Sequence, residues 1–356
     1  MKKFTKLFLG ATLFVAAAGF ILSSCTKEGP QGPAGANGTN GTNGTNAAAT
    51  CQECHNFSDT ITAKIFQYNA SKHATGSTII ESASLSTTCS PCHTSQGFGQ
   101  TLASGLLNAT STITDAAPIN CRTCHQIHKT YTSADWSLAT TAEYRWRFDS
   151  TQTQHFTANG GTANLCGRCH QARPASPALT SPTSNTDSIS ITSSRWGPHH
   201  GPQSNILAAM GAYPDANFGA YGTSPHKDTI GCMGCHGADA IGNYVGGHTL
   251  YMTSTTTGEN ITICKTCHPS ATSFNINGDQ TAIAILYNQL KVQLATANIL
   301  DSVNMVIKLG KYAQSDLAAY WNFMLVYADG SMGVHNFQYT HDILQAGVNH
   351  FGSKNF

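Results

Sequence analysis

Apolar residues along this chain form one continuous run near the N-terminus and helical patterns near the C-terminus. The run covers residues 7–22 and follows three lysines, Lys2, Lys3 and Lys6. After residue 275, apolar residues recur at the three- and four-residue spacing of a helix face. One such segment contains Ala282, Ile285, Leu286, Tyr287 and Leu290, and the next contains Leu317, Tyr320, Trp321, Met324 and Leu325. A last helix is predicted from about Asn336 to His350, with Phe337, Ile343, Leu344 and Val348 on its apolar face.

The region between these two ends has few long amphipathic segments. Ser, Thr, Gly and Ala dominate it, and only 10% of the whole chain is charged. Such a composition supplies little apolar surface for an ordinary core. Another source of buried apolar surface is therefore expected there.

Six copies of Cys-x-x-Cys-His run through this region and account for twelve of the thirteen cysteines. This spacing is the attachment signature of c-type haem, in which two thiols bond one porphyrin and the following imidazole ligates its iron. The cysteines are Cys51, Cys54, Cys89, Cys92, Cys121, Cys124, Cys166, Cys169, Cys232, Cys235, Cys264 and Cys267. The proximal histidines would be His55, His93, His125, His170, His236 and His268. Paired cysteines also hold zinc or form disulfides, but neither alternative needs the histidine that follows every pair.

The N-terminal run has the organisation of a secretory signal peptide, residues 1–24. It ends in Leu22-Ser23-Ser24-Cys25, which resembles the site at which bacterial lipoproteins are cleaved and acylated, so Cys25 is predicted to carry lipid. The alternative is a transmembrane anchor, but the run is shorter than the roughly 20 residues that a spanning helix needs. Export is also expected of a protein with c-type haem, and Thr26 after the acylated cysteine favours the outer membrane, on its periplasmic or cell-surface face.

Residues 25–50 are rich in glycine at every third position, as in collagen. With only two prolines in this stretch, a flexible tether is favoured over a triple helix. The predicted organisation continues with a hexahaem region at 51–275 and a helical segment at 276–356 that packs on it. The fold class expected is mainly α with extensive irregular loops, in a multihaem cytochrome c architecture whose core is packed by six covalently bound haems.

Ten histidines lie outside the motifs, which is more than six irons need as second axial ligands. Neutral imidazole is a good iron ligand, and two imidazoles close the iron against other ligands. Four methionines are alternative ligands, although packing roles are expected for them: Met210, Met233, Met252 and Met324.

Three short segments make the chain resemble multihaem c-type cytochromes related to pentahaem nitrite reductase and octahaem hydroxylamine oxidoreductase. They are Ser224-Pro225-His226, Gly246-Gly247-His248-Thr249 and Gly333-Val334-His335-Asn336. The resemblance implies that His226 serves the haem of His268, that His335 serves the haem of His236, and that His248 serves an earlier haem.

The remaining distal candidates are weaker. His73 and His128 look like distal ligands of similar cytochromes, and His155 and one of the pair His199-His200, taken as His200, complete the set. His341 and His350 are expected not to be ligands.

The nitrite reductase usually has Lys in place of one motif histidine, whereas all six motifs here keep His. This departure disfavours an enzyme with an open iron. If one iron is open, the surroundings of Arg195, His199 and His200 are the expected place, because a cation and imidazoles could bind a small oxyanion.

Charge points away from nucleic acid as a partner. Without the three signal-peptide lysines, 16 Lys and Arg face 18 Asp and Glu. Ionised haem propionates would bring the net charge to about −8 when oxidised and about −14 when reduced. The chain also has no basic stripe of the kind that phosphate binding requires. Other redox proteins or quinol-linked donors are the expected partners.

Together these features predict a membrane-anchored electron-transfer protein, in respiratory or extracellular electron transfer, rather than an enzyme. Two alternatives stay open. One is a reductase of a nitrogen or sulfur oxyanion with one open haem, and the other is a subunit of a homo-oligomeric cytochrome filament.

Overall fold

The structure is a computed structural model that describes His55 and residues 58–75, 84–213 and 224–354. The predicted signal peptide, the lipidated Cys25, the tether, and Cys51 and Cys54 lie outside the described residues. Over the described ranges, none of the helices combines the length and the apolar character needed to cross a membrane.

Short helices separated by irregular loops make up the part of the chain that carries the motifs. They are α1 (Asp59–Ala70), α2 (Lys72–Thr75), α3 (Ser90–His93), α4 (Ser95–Ser104), α5 (Cys121–Cys124), α6 (Ala158–Gly167), α7 (Gln203–Ala208), α8 (Pro225–Thr229) and α9 (Gly231–His236). Single 3₁₀ turns occupy Ser133–Trp136, Gly247–Thr249, Cys264–Thr266 and Ile276–Gly278. The predicted mainly helical, loop-rich fold class is confirmed at this level.

Strands are short and pair two at a time in antiparallel ladders. The pairs are β1 (Ser84–Leu85) with β2 (Ile113–Thr114), β3 (Tyr144–Arg145) with β4 (Thr153–Gln154), β6 (Thr253–Ser254) with β7 (Gly258–Glu259), β8 (Leu300–Asp301) with β9 (Val306–Ile307), and β5 (Ser188–Ile191) with β10 (Gly310–Ala313). The last pair joins the C-terminal segment to the middle of the chain, in the register Gly310 opposite Ile191.

Three long helices follow the last motif: α10 (Asp279–Thr296), α11 (Gln314–Asp329) and α12 (Phe337–Gly352). Their positions agree with the helical spacing of the sequence. The inward face of α10 differs in part, because Ile283, Leu290 and Leu294 are buried whereas Ile285 is 62% exposed. Helices α10 and α12 approach closely at Gly347, where an added Cβ would lie 2.6 Å from Leu290 Cδ2.

The main hydrophobic core is built by these helices together with residues 172–206. Trp321 on α11 is fully buried, contacts the rings of Trp196 and Tyr213, and donates a hydrogen bond from Nε1 to the Gly211 carbonyl at 2.9 Å. The C-terminal segment therefore shares a core with the middle of the chain. Met324 packs at the edge of this core, as expected of a packing methionine.

A second, smaller core lies among the motifs and is largely aromatic. Tyr144, Trp146 and Phe156 pack there with Ala163 of α6 and with residues of α7, and Met210 packs against them. This core fixes α6, and with it the fourth motif, relative to the preceding loop.

Candidate haem sites

Each of motifs two to six closes into about one helical turn, so its two cysteines and its histidine lie close together. The amide of His125 donates to the Cys121 carbonyl at 2.8 Å, and that of His268 donates to the Cys264 carbonyl at 2.7 Å. In α5 the turn is fixed by a capping box, in which the Asn120 side chain accepts from Arg122 N and Thr123 Oγ1 accepts from Asn120 N. None of the ten cysteines of motifs two to six is in a disulfide bond.

The ring of every motif histidine lies opposite the ring of a second histidine from outside the motifs. We number these six pairs as sites in the order of their motifs. They are site 1 (His55 and His128, 6.2 Å between ring centroids), site 2 (His93 and His199, 6.2 Å), site 3 (His125 and His248, 6.2 Å), site 4 (His170 and His73, 5.9 Å), site 5 (His236 and His335, 6.2 Å) and site 6 (His268 and His226, 6.5 Å).

The spacing of these pairs suits a metal ion between the rings. Imidazole nitrogens bind metals at about 2 Å, so two rings facing one metal have centroids roughly 6 Å apart. Stacked rings such as Tyr287 and Phe323 have centroids 4.7 Å apart, and tilted aromatic rings such as Tyr144 and Phe156 pack at 6.3 Å, so the pairing of histidine with histidine, together with the spacing, is what indicates a metal. The donor set, two imidazoles with two thiols beside one of them, is that of covalently attached haem with two axial histidines.

Five of the seven predicted distal histidines face a motif histidine. His226 and His335 lie opposite His268 and His236, the partners that the family resemblance implies. His248 reaches back to His125, an earlier motif, again in line with the resemblance. His73 and His128 face His170 and His55.

The other two predicted positions differ. His199, not His200, lies opposite His93, because His199 has a left-handed backbone (φ 72°) that turns its ring inward while His200 remains exposed. None of the ring contacts among the described residues involves His155. The adjacent pair His199-His200 gave the sequence no means of choosing between its members.

His341 and His350 have carboxylate partners instead of motif partners. His350 Nε2 lies 2.7 Å from Asp316 Oδ1, and His341 Nδ1 lies 3.0 Å from Asp342 Oδ1. Both rings therefore have a carboxylate partner on the C-terminal helices.

Helix α1 holds His248 in position. Gln67 Oε1 on α1 accepts from the His248 amide at 3.0 Å, and an added Cβ on Gly247 would collide with this same side chain. With φ of 53°, Gly247 also has a backbone that favours glycine. The pair of glycines before His248 therefore permits the close approach that brings this ring opposite His125.

Five of the paired rings use Nδ1 to contact an oxygen acceptor. They are His125 (Trp136 carbonyl, 2.6 Å), His170 (Gln203 Oε1, 3.0 Å), His226 (Val334 carbonyl, 3.1 Å), His236 (Leu250 carbonyl, 2.8 Å) and His335 (Asp329 Oδ1, 2.6 Å). A ring whose Nδ1–H donates keeps the lone pair on Nε2, which is the arrangement of a metal-ligating histidine.

Burial keeps several of these rings neutral. It lowers the pKa of His73, with a smaller contribution from the facing His170, to about 4. Burial likewise lowers the pKa of His170 and of His236. Neutral imidazole is the form that binds a metal.

His335 differs because its partner is a buried carboxylate. Burial lowers the pKa of His335, but the charge of Asp329 and its hydrogen bond outweigh burial, so the pKa is raised. Asp329 also accepts from the amide of Ser331 at 3.1 Å, which orients the carboxylate. A carboxylate that accepts from a metal-ligating histidine makes that ring a stronger electron donor.

Asp329→Asn should raise the reduction potential of one haem and leave the others near their original values. The substitution removes a buried negative charge beside a ligand, which is worth about 1 to 3 kcal/mol at an effective dielectric constant near 20. Spectroelectrochemical titration measures this change. Asp342→Asn, beside the non-facing His341, is the matched control, and equal titration curves for the two variants would contradict the role given to Asp329.

The motifs are also close to one another. Cys92 Sγ lies 3.9 Å from the Arg168 carbonyl and Cys169 Sγ lies 3.7 Å from the Pro91 carbonyl, so the second and fourth motifs are in contact. Helix α9 of the fifth motif packs against α6 of the fourth motif, with Gly231 beside Ala158 and Ala163.

Glycine permits the contact between the fourth and fifth motifs. At Gly231, with φ of 60°, an added Cβ would lie 3.3 Å from the Ala158 side chain and 3.4 Å from that of Ala163. A larger residue would push α9 away from α6. The close approach of these two motifs therefore depends on glycine at this position.

Comparisons with known proteins identify no family. No protein-family model matches the chain, and no curated protein matches its sequence. Among solved structures, the chain is similar to the crystal structure of the outer cell wall cytochrome OcwA, with a TM-score of 0.46 and 18% identity. The match covers 80% of this chain and 49% of that one, so the chain spans about half the length of the protein it matches.

Proposed function

We propose that this chain is an exported hexahaem c-type cytochrome that transfers electrons along haems held by two histidines each. One observation carries the proposal. Six histidines that follow paired cysteines each face a second histidine from elsewhere in the chain, at ring distances of 5.9–6.5 Å. Such a coincidence at every motif is not expected of histidines that merely pack.

The side chains have separable roles in this proposal. When bound, haem supplies an iron centre that gains and loses one electron. The cysteines would hold the porphyrin, and the motif histidine and the facing histidine would both hold its iron. The acceptors at Nδ1, such as Gln203 and Asp329, hold the rings in the ligating tautomer. Two fixed imidazoles change little between oxidation states, which favours electron transfer over ligand exchange.

Contacts between motifs support an order for the sites. Site 1 adjoins site 3, because His128 lies three residues from His125. The Ala139 amide donates to the Cys124 carbonyl and the Asn164 side chain on α6 donates to the Thr141 carbonyl, so site 3 adjoins site 4, and α6 packs against Gly231 of α9 in site 5. His226, which faces His268 of site 6, lies six residues before Cys232 of site 5, so sites 5 and 6 are also adjacent. Site 2 joins site 4 through Cys92 and Cys169, which makes site 4 a branch point.

The proposal also includes the cellular location of the protein and its redox partners. Lipid on Cys25 would anchor the protein to the outer membrane, and residues 25–50 would tether the haem-binding part to it. Other redox proteins or quinol-linked donors would deliver electrons through small, transient contacts.

His248→Ala tests the proposal directly. Loss of this ring should convert one of six haems from low-spin to high-spin, because one axial position opens while the thioether links remain. Electron paramagnetic resonance of the oxidised holoprotein counts the spin states. His155→Ala is the matched control and should leave all haems unchanged, whereas a His248→Ala spectrum equal to that of the unsubstituted protein would refute ligation by His248.

A further inference from the structure

The distal ring of site 2 contacts an arginine, whereas the distal rings of sites 5 and 6 contact oxygen acceptors. His199 Nδ1 lies 2.9 Å from Nη2 of Arg173, and both side chains are partly buried. A guanidinium group only donates hydrogen bonds. His199 Nδ1 must therefore accept, and in a neutral ring the remaining nitrogen then carries the proton.

This tautomer is the wrong one for an iron ligand. A ring can bind iron through Nε2 only when that nitrogen has its lone pair free, as it does when Nδ1–H donates to Gln203 in site 4 or to Asp329 in site 5. For His199 to ligate, its contact with Arg173 must open. Arg173 thus competes with the iron for the same ring.

The backbone conformation of His199 also distinguishes site 2 from site 5. A non-glycine residue with φ of 72° occupies a sparsely populated region. Gly197 and Gly201, with φ of 154° and 103°, flank it. The ring of His199 is therefore carried by a turn flanked by two glycines, whereas His335 precedes the long helix α12 and is held by Asp329.

The guanidinium group of Arg173 places a positive charge beside the distal ring of site 2. The ring of His200 lies 5.2 Å from that of His199. Arg195, the cation expected at this place from the sequence, is exposed, and Arg173 takes the position beside His199 instead.

Site 1 has a similar contact, between Arg122 Nη2 and His128 Nδ1 at 3.0 Å. Both of these side chains are exposed, so water replaces the arginine easily. The contact between Arg173 and His199 in site 2 is partly buried and therefore competes more strongly with iron for the histidine ring.

We propose that site 2 binds a small anion on the distal side, in exchange for His199, with Arg173 as the group that holds the anion. The exchange leaves His199 neutral and involves no net electron transfer. This inference rests on the proposed function, because it needs haem at His93.

Cyanide added to the oxidised holoprotein is the probe. We expect one cyanide per chain, seen as an optical change in one of six haems. Arg173→Gln should weaken this binding about 10-fold or more, because glutamine can accept from His199 Nδ1 as Gln203 does from His170, and because the anion loses its cation. His199→Ala should strengthen binding, since the competing ring is gone.

Arg195→Leu is the matched control, because it removes an exposed arginine close to His199 in the sequence and should leave cyanide binding unchanged. The haem content of every variant is measured by intact mass. A chain with fewer than six haems refutes the proposed function itself. Six haems with no cyanide bound, or with binding that is the same in Arg173→Gln, overturn this inference alone.

Discussion

Replacing Cys166 and Cys169 together by alanine should leave little folded protein. Site 4 contacts the second and fifth motifs and lies beside the aromatic core of Tyr144 and Phe156. A porphyrin that buries roughly 400 Å² of apolar surface contributes about 10 kcal/mol. A whole domain is stable by only about 5–15 kcal/mol. Loss of the central haem therefore removes a free energy comparable to the total free energy of unfolding of a domain.

The yield of soluble red protein and its intact mass measure this effect. Cys264→Ala with Cys267→Ala is the matched control, because Cys267 is exposed and site 6 lies at one end of the proposed order. This control should fold with five haems. If the Cys166 and Cys169 variant also accumulates as a five-haem protein of the same thermal stability, the central position of site 4 is wrong.

Trp321→Ala should lower the free energy of unfolding by about 3–5 kcal/mol without changing the number of haems. Trp321 is 1% exposed, and its removal leaves a cavity against Trp196 and an unpaired Gly211 carbonyl. Urea unfolding of the holoprotein followed by far-ultraviolet circular dichroism measures the loss.

Val292→Ala is the control for Trp321→Ala. Val292 lies on α10 and is 65% exposed, so its truncation should change stability by less than about 0.5 kcal/mol. Equal effects of the two substitutions would mean that the core around Trp321 contributes little to stability.

The features that sequence predicted well are local ones. A motif places its cysteines and histidine within five residues, and an apolar face repeats every turn, so both are visible in the sequence. The helices after residue 275 have the predicted positions for this reason. The exposed Ile285 shows that spacing predicts a helix but not which of its residues are buried. Several residues of one helix satisfy the same spacing, and the packing partner decides which of them is buried.

The features that sequence could not predict depend on contacts between distant segments or on a single backbone angle. His199 and His200 are chemically identical neighbours, and the left-handed backbone at His199 decides which ring faces His93. Arg173 comes beside His199 through the loop before α7, which no spacing indicates. The order of the sites follows from contacts such as Cys92 with Cys169, which are far apart in the chain.

The measurement that tests the central claim most directly is crystallographic anomalous scattering of the holoprotein at the iron absorption edge. It should give six iron peaks per chain, each associated with one of the pairs from His55 and His128 to His268 and His226. Metal bound by the cysteine thiols, or iron peaks away from these pairs, would contradict the claim that six haems are held here between paired histidines.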